Sequence, residues 1–292
     1  MELVFKNTGP LTNFSNWLKA FNEIQNSLLI ECDLTNSCFV SKGFTSDHTV
    51  VKYGKITFDE TGVELLNIKD NDKNVYTLEE WNKKYNERIK IGIFMILPKF
   101  IRVIDTFSDT DFNLNIEFDI YKNGNIQEFH ATSINFKSKS LKMKVKDCNI
   151  SEFEQVTDDL FFNKINVIDN AMSYDISMDA IKNLMSISSV FVTDAKRDII
   201  KFYTKFDADV DKWALFAYDQ TNETYDYLLG FLKSGTGAEN NLLIYRNSFL
   251  TSVNLKGNDE NIILTMATDN KIKLRIENNN GSSYTVLSTV TQ

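Results

Sequence analysis

Only two histidines, His48 and His130, and three cysteines, Cys32, Cys38 and Cys148, are on hand for metal or nucleophilic chemistry in a chain of 292 residues. A zinc site would have to recruit scattered carboxylates, and none stands at ligand spacing. The odd number of cysteines, without a C-x-x-C pair, reads as reduced structural thiols of a cytosol-like compartment. No G-x-S-x-G elbow, phosphate-binding loop or dinucleotide glycine pattern is present, and the 11 glycines do not gather into a phosphate cradle. Carboxylates crowd "DTFSDTDF" (105–112) and "DADVD" (207–211), where solvated turns are a plainer reading than bound metal. These residue types point away from catalysis, metal and cofactor, and the expectation is a protein that is not an enzyme.

The cations are more informative than the acids. Four stretches, 10–27, 96–108, 177–192 and 242–257, carry apolar residues at helical spacing. In the first, Phe14, Trp17, Leu18 and Phe21 form the stripe; in the second, Leu97, Phe100, Ile104 and Phe107 do. Pro98 suits a first-turn position. The third has Ser177 as a fair N-cap before Ile181, Leu184 and Met185, and the fourth rests on Phe249, Leu250 and Val253. Together these stretches hold six basic residues (Lys19, Lys99, Arg102, Lys182, Arg246 and Lys256) and three acidic ones (Glu23, Asp105 and Asp179). The whole chain carries 32 basic and 40 acidic residues, a net charge of -8. The helices are therefore mildly positive on a negative protein. At 100° per residue Lys19 falls opposite its apolar stripe, and Lys99, Arg102 and Thr106 fall together opposite theirs.

Each helical stretch is followed by a polar turn and by strands that alternate apolar with polar residues. The pattern begins in "LTNFSNWLKAFNEIQNSLLIECDL", "FMILPKFIRVIDTFSDTDFNLNIEFDI", "DISMDAIKNLMSISSVFVTDAKRDIIKFYTKFDA" and "LLIYRNSFLTSVNLKGNDENIILTMATD". The copies share pattern and not letters. The tail closes as a three-strand meander, with Ile262, Leu264 and Met266 in one strand, Ile272, Leu274 and Ile276 in the next, and turns at "ATDNK" and "ENNNGSS". The acidic, irregular stretch after residue 150 marks a boundary. The expected organisation is 1–150 as one domain, 151–172 as a connector and 173–292 as a second domain. No stretch approaches a membrane span, and "MELVFKNTGP" has neither a basic start nor an apolar run of the secretory kind.

In this order of elements the chain resembles the DNA sliding clamps, the ring-shaped polymerase processivity factors of the PCNA and phage types. "NWLKAFNEIQNSLLIECDL" with "FVSKGFTSDHTVVKYGKITF" is similar to the opening helix and strands, and "IFMILPKFIRVIDTFSDTDFNLNIEF" to the second helix and its strand. "YRNSFLTSVN" with the tail is similar to the fourth helix and the final hairpin. Thr289 replaces the usual proline after the last strand, and the helices are less basic than in many clamps. A divergent viral or phage member would account for this and for the Asn-, Ile- and Lys-rich composition.

The resemblance implies an α+β fold of two similar clamp domains, each with two helices packed on antiparallel sheets, assembling head-to-tail into a ring, as a homotrimer, around double-stranded DNA. It implies Lys19, Lys99, Arg102, Lys182 and Arg246 as residues facing DNA without reading sequence. It implies His48, Leu160, Phe161, Val286, Ser288 and Thr289 as the pocket where a DNA polymerase and a clamp loader dock peptide motifs. It also implies the cytoplasm, that of the host if the source is a phage or virus, with no membrane partner. Ordinary packing is an equal reading for Leu160 and Phe161, and a turn histidine for His48. Two other readings stand beside the ring: a virion or tail component with a duplicated fold, and a monomeric clamp-like processivity subunit.

Overall fold

Alternating runs rich in Val, Ile and Phe favour strands, and strands dominate the computed structural model of the chain. The structure describes residues 1–46, 49–85, 90–107, 111–123, 126–146, 171–190, 198–219, 226–253, 261–266, 274–278 and 283–287. The chain divides into two units, one of Met1–Lys42 with Tyr53–Gln155, the other of Gly43–Lys52 with Val156–Gln292. The connector expected at 151–172 lies outside the described residues up to Asn170.

The first unit contains β1 (Glu2–Asn7), α1 (Thr12–Asn22), β2 (Ser27–Asp33), β3 (Cys38–Phe44), β4 (Val50–Thr57), β5 (Val63–Lys69) and β6 (Val75–Tyr76). It continues through α2 (Leu78–Tyr85), β7 (Lys90–Ile96), α3 (Leu97–Phe107), β8 (Phe112–Asn123), β9 (Ile126–Ser138) and β10 (Lys142–Lys146). The segment Gly43–Lys52, which ends β3 and begins β4, groups with the second unit. Antiparallel pairing gives the order β6–β5–β1–β8–β9–β10 and a second run β3–β2–β7. A short parallel contact joins β7 to β9 at Ile91 and Gly92.

One face of these strands and one stripe of each helix form the core. Phe14, Trp17, Leu18 and Phe21 of α1 are buried, as are Leu97, Phe100, Ile104 and Phe107 of α3, which is the pattern the periodicity predicts. Aromatic contacts run between elements: Phe14 stacks on Phe39 at 5.2 Å, Phe5 meets Phe58 edge-on at 5.2 Å, and Phe107 stacks on Phe136 at 5.2 Å. Gly54 lets α1 approach β4, since a Cβ there would lie 2.6 Å from Trp17 Nε1 and 2.8 Å from the Phe21 ring. Gly62, at φ 76°, closes the turn into β5 where a Cβ would sit 2.8 Å from the carbonyl oxygens of Gly9 and Pro10.

The second unit contains β11 (Met172–Ser177), α4 (Met178–Val190), β12 (Ile199–Asp207), β13 (Lys212–Asp219), β14 (Asp226–Ser234) and β15 (Asn241–Tyr245). Then follow α5 (Arg246–Ser252), β16 (Asn261–Met266), β17 (Leu274–Asn278) and β18 (Ser283–Leu287). All pair antiparallel in the order β15–β12–β13–β14–β11–β16–β17–β18, which includes the meander expected at the tail. Ser177 caps α4 as its position predicts, its Oγ accepting from the Ala180 N–H at 3.1 Å. The core here includes Tyr174, Ile181, Leu184, Phe202 and Leu264, with Phe202 and Phe249 rings 5.0 Å apart.

The two units repeat one plan. In each, the first strand (β1, β11) lies between a hairpin strand (β5, β14) and the strand after the second repeat's helix (β8, β16). In each, the strand after the first helix (β2, β12) pairs with its successor and with the strand that runs into the second repeat's helix (β7, β15). The fold is thus α+β with two similar domains. Five helices occur among the described residues, one more than the periodicity predicts. The addition is α2, which buries Trp81 completely.

Candidate nucleic-acid interface

With their apolar stripes buried, α1 and α3 leave their polar sides to carry any surface chemistry of the first unit. Asp105 of α3 is the hub. It accepts from Ser15 Oγ of α1 at 2.5 Å and from Lys19 Nζ at 3.2 Å. Lys19 and Asp105 side chains are 31% and 46% exposed, so water screens the pair. Lys99 and Arg102 stand one turn apart on the same helix, both exposed, and neither has an ion-pair partner among the described residues. Thr106 turns its hydroxyl back to the Arg102 carbonyl at 2.8 Å. The two helices carry Lys19, Lys99 and Arg102 against Asp105, a net positive surface on a chain of net charge -8.

The second unit does not match this. Lys182 is exposed on α4 and lies 3.9 Å from Asp179 of the same helix, so that helix carries no net charge. Arg246 corrects an expectation. The resemblance implies it as a residue facing DNA, but the residue is only 6% exposed. The cause is its position: α5 starts at Arg246 directly after β15, and the Arg246 N–H donates to the Asp198 carbonyl at 2.8 Å, which ties the helix start to the protein. Among the described helix residues the exposed cationic excess lies on α1 and α3.

Of the residues assigned to partner docking, His48, Leu160, Phe161, Ser288 and Thr289 lie outside the described residues. Val286 sits in β18 opposite Arg275, between buried Thr285 and Leu287. Cys32 and Cys38 are buried, and burial raises the Cys32 thiol well above its ordinary range, which keeps it protonated and inert. No group of three or more His, Cys, Asp or Glu able to hold a metal occurs among the described residues. No helix among them is long and apolar enough to cross a membrane.

Two features went unread in the sequence. One is the capping box that starts α2: Thr77 Oγ1 accepts from the Glu80 N–H at 3.2 Å, and Glu80 Oε2 accepts from the Thr77 N–H at 2.8 Å. The other is the lysine run "KSKSLKMKVK" (137–146), legible as a strand pair but also the densest cationic stretch of the chain.

No protein-family model matches the chain, and no curated protein matches it in sequence. Its fold is matched by solved structures over nearly full length. The proliferating cellular nuclear antigen of Entamoeba histolytica is 11% identical, with a TM-score of 0.64 and 99% of each chain covered. A chain of the PCNA2–PCNA3 complex of Sulfolobus tokodaii is 10% identical, with a TM-score of 0.61 and the same coverage. The PCNA of A. fulgidus, solved with the C-terminal region of FEN-1 bound, is 11% identical, with a TM-score of 0.56, 100% of this chain covered and 99% of that one. The chain shares the fold of these PCNA structures.

Proposed function

We propose that this protein is a DNA sliding clamp: a processivity factor without enzymatic activity whose copies close head-to-tail into a trimeric ring around duplex DNA. The observation that carries this reading is the duplicated strand plan, present in both units and matched over the full length of PCNA chains. A ring retains DNA by topology, so its lining needs only weak, sequence-blind attraction to phosphates. Lys99 and Arg102, with Lys19 beside them, supply such attraction: exposed side chains on regular helices, without a base-reading constellation. Lys182 is a weaker candidate because Asp179 offsets it. The net charge of -8 disfavours adhesion to DNA by the outside of the protein.

Tethered partners gain a high effective concentration at the template, which is the source of processivity. The neighbouring structures support association of this kind, one being a complex of two PCNA chains and another carrying a FEN-1 segment. On this reading His48, Leu160, Phe161, Val286, Ser288 and Thr289 serve a polymerase and a clamp loader, in the cytoplasm of a host cell if the source is a phage or virus. Identity of 10–11% to the cellular and archaeal clamps fits such a divergent source.

The test has two arms. Mass measurement in solution is expected to give three times the 33.6 kDa chain mass. Loaded by its clamp loader and ATP, the protein is expected to stay on circular DNA and run off linear DNA, and the Lys99→Glu, Arg102→Glu double variant to load less well while folding normally. Equal retention on circular and linear DNA would remove topological linkage. A persistent monomer would favour a clamp-like subunit that does not encircle DNA.

A further inference from the structure

Opposite the helices, the sheet β5–β1–β8–β9–β10 presents a second face, and register defines it row by row. Lys69, Glu2, Glu117, Ser133 and Lys146 form one row across the five strands; Asn67, Val4, Asn115, Asn135 and Lys144 form the next. Lys6, Asn113, Lys137 and Lys142 form a third over four of them. Intervening residues such as Leu3, Leu114, Ile134 and Phe136 are core, so these rows face away from it. From these rows Glu2, Val4, Asn115, Glu117, Lys137 and Lys142 help line a groove of about 660 Å³ with Leu66 and Met143 at its sides.

Charges on the groove are partly paired. Lys69 bonds Glu2 at 3.2 Å, and Lys144 bonds Glu117 at 2.7 Å. Ser133 Oγ and Asn135 Nδ2 also donate to Glu117, at 2.5 and 3.0 Å. That leaves Lys137 and Lys142, exposed and directly opposite each other across β9 and β10. No acidic residue occurs from Phe129 to Lys146, a span that holds five lysines. The floor has a complementary need: Asn115 Oδ1 is a buried acceptor with no donor.

We propose that this groove is a docking site for an extended acidic peptide segment of a partner protein. Carboxylates of such a segment meet Lys137 and Lys142, a donor from it can satisfy the Asn115 oxygen, and Leu66, Val4 and Met143 give it apolar contact. On a chain of net charge -8, an acidic segment is repelled by most of the surface and steered to this one. The fixed carboxylates of Glu2 and Glu117 stand among the lysines and oppose the continuous charge of a phosphate backbone, which disfavours nucleic acid. The inference does not rest on the clamp reading.

A fluorescein-labelled peptide of alternating Asp and Ala residues, titrated with the full chain by anisotropy, tests it. The peptide is expected to bind and an Asn–Ala peptide of equal length not to bind. Lys137→Glu with Lys142→Glu is expected to weaken binding about tenfold or more, and 0.5 M salt to weaken it comparably. Should the charge reversals unfold the protein, Lys137→Gln with Lys142→Gln is expected to give a smaller loss in a folded chain. Equal binding of the Asn–Ala peptide, or unchanged affinity in the folded lysine variants, would overturn the proposal. Displacement of the acidic peptide by a duplex oligonucleotide at matched charge would also overturn it and assign the groove to nucleic acid.

Discussion

Replacing Asp105 by Asn is expected to weaken the fold slightly and strengthen attraction to DNA. In the wild type Asp105 holds Lys19 at 3.2 Å and accepts from Ser15 at 2.5 Å, joining α3 to α1. Asn keeps an oxygen for Ser15, so the main loss is the ion pair. Its partners are 31% and 46% exposed, which places the pair among screened surface bridges worth about 0.2–1 kcal/mol. At about 2–4 °C per kcal/mol for a chain portion of this size, melting falls by a few degrees at most. Meanwhile the helix pair loses its one acid and Lys19 is released. If that side faces phosphates, Lys19 becomes one more contact, and the slope of log K against log salt for a short duplex steepens by about 0.9. The assay is duplex binding between low and moderate salt, with a thermal melt of the same samples. An unchanged slope would refute the assignment of this helix side to DNA. A stability loss beyond about 3 kcal/mol would show Asp105 to be a structural group whose partners are left buried and unpaired.

Further outcomes follow from local geometry. Thr77→Ala removes the capping box of α2 and is expected to cost about 1 kcal/mol in denaturant unfolding, with hydrogen exchange quickening over Leu78–Tyr85 first; even exchange across the unit would mean the cap does not hold that helix. Gly54→Ala places a methyl 2.6 Å from Trp17 Nε1 and is expected to cost about 1–3 kcal/mol with a changed Trp emission, whereas a neutral result would show that α1 shifts freely off β4. Glu117 has its carboxyl held below the ordinary 4.5, first by the Lys144 hydrogen bond and then by Ser133. A depressed folded-state value stabilises the protein above the unfolded value, and that contribution is lost as pH falls through the folded one. The stability gap between wild type and Glu117→Gln is therefore expected to shrink below about pH 4.5, modestly because the side chain is partly exposed, and a gap independent of pH would exclude this role.

Much of the fold is legible in the sequence because it rests on period. Phe14, Trp17, Leu18 and Phe21 repeat as only a half-buried helix repeats, and Ile262, Leu264 and Met266 alternate as only a strand does. The short α2 lacks that signal, with Leu78 and Trp81 as its only apolar residues before the terminal Tyr85, and its start was written instead in the spacing of Thr77 and Glu80. Lys19 reads as a free cation along its own helix, since its partner Asp105 is 86 residues away and only tertiary packing joins them. Arg246 misleads for a related reason. A stripe tells which side of a helix is apolar, but α5 spans only Arg246–Ser252 and follows β15 without a linker, so its first turn is enclosed despite its charge. The groove on the sheet escaped because no helical or strand period marks it. It arises where distant strands align Asn113, Lys137 and Lys142 in one row.

Strand β10 finds its register partner in β9 alone among the described strands, and Lys142, Lys144 and Lys146 project from one side of it like the teeth of a comb. Two copies laid comb to comb, as a simple twofold dimer requires, would set ammonium against ammonium along the seam. Any copy that docks at this margin must offer a dissimilar margin of its own. Joints between dissimilar margins repeat with a fixed rotation and end either in a closed circle or in a filament.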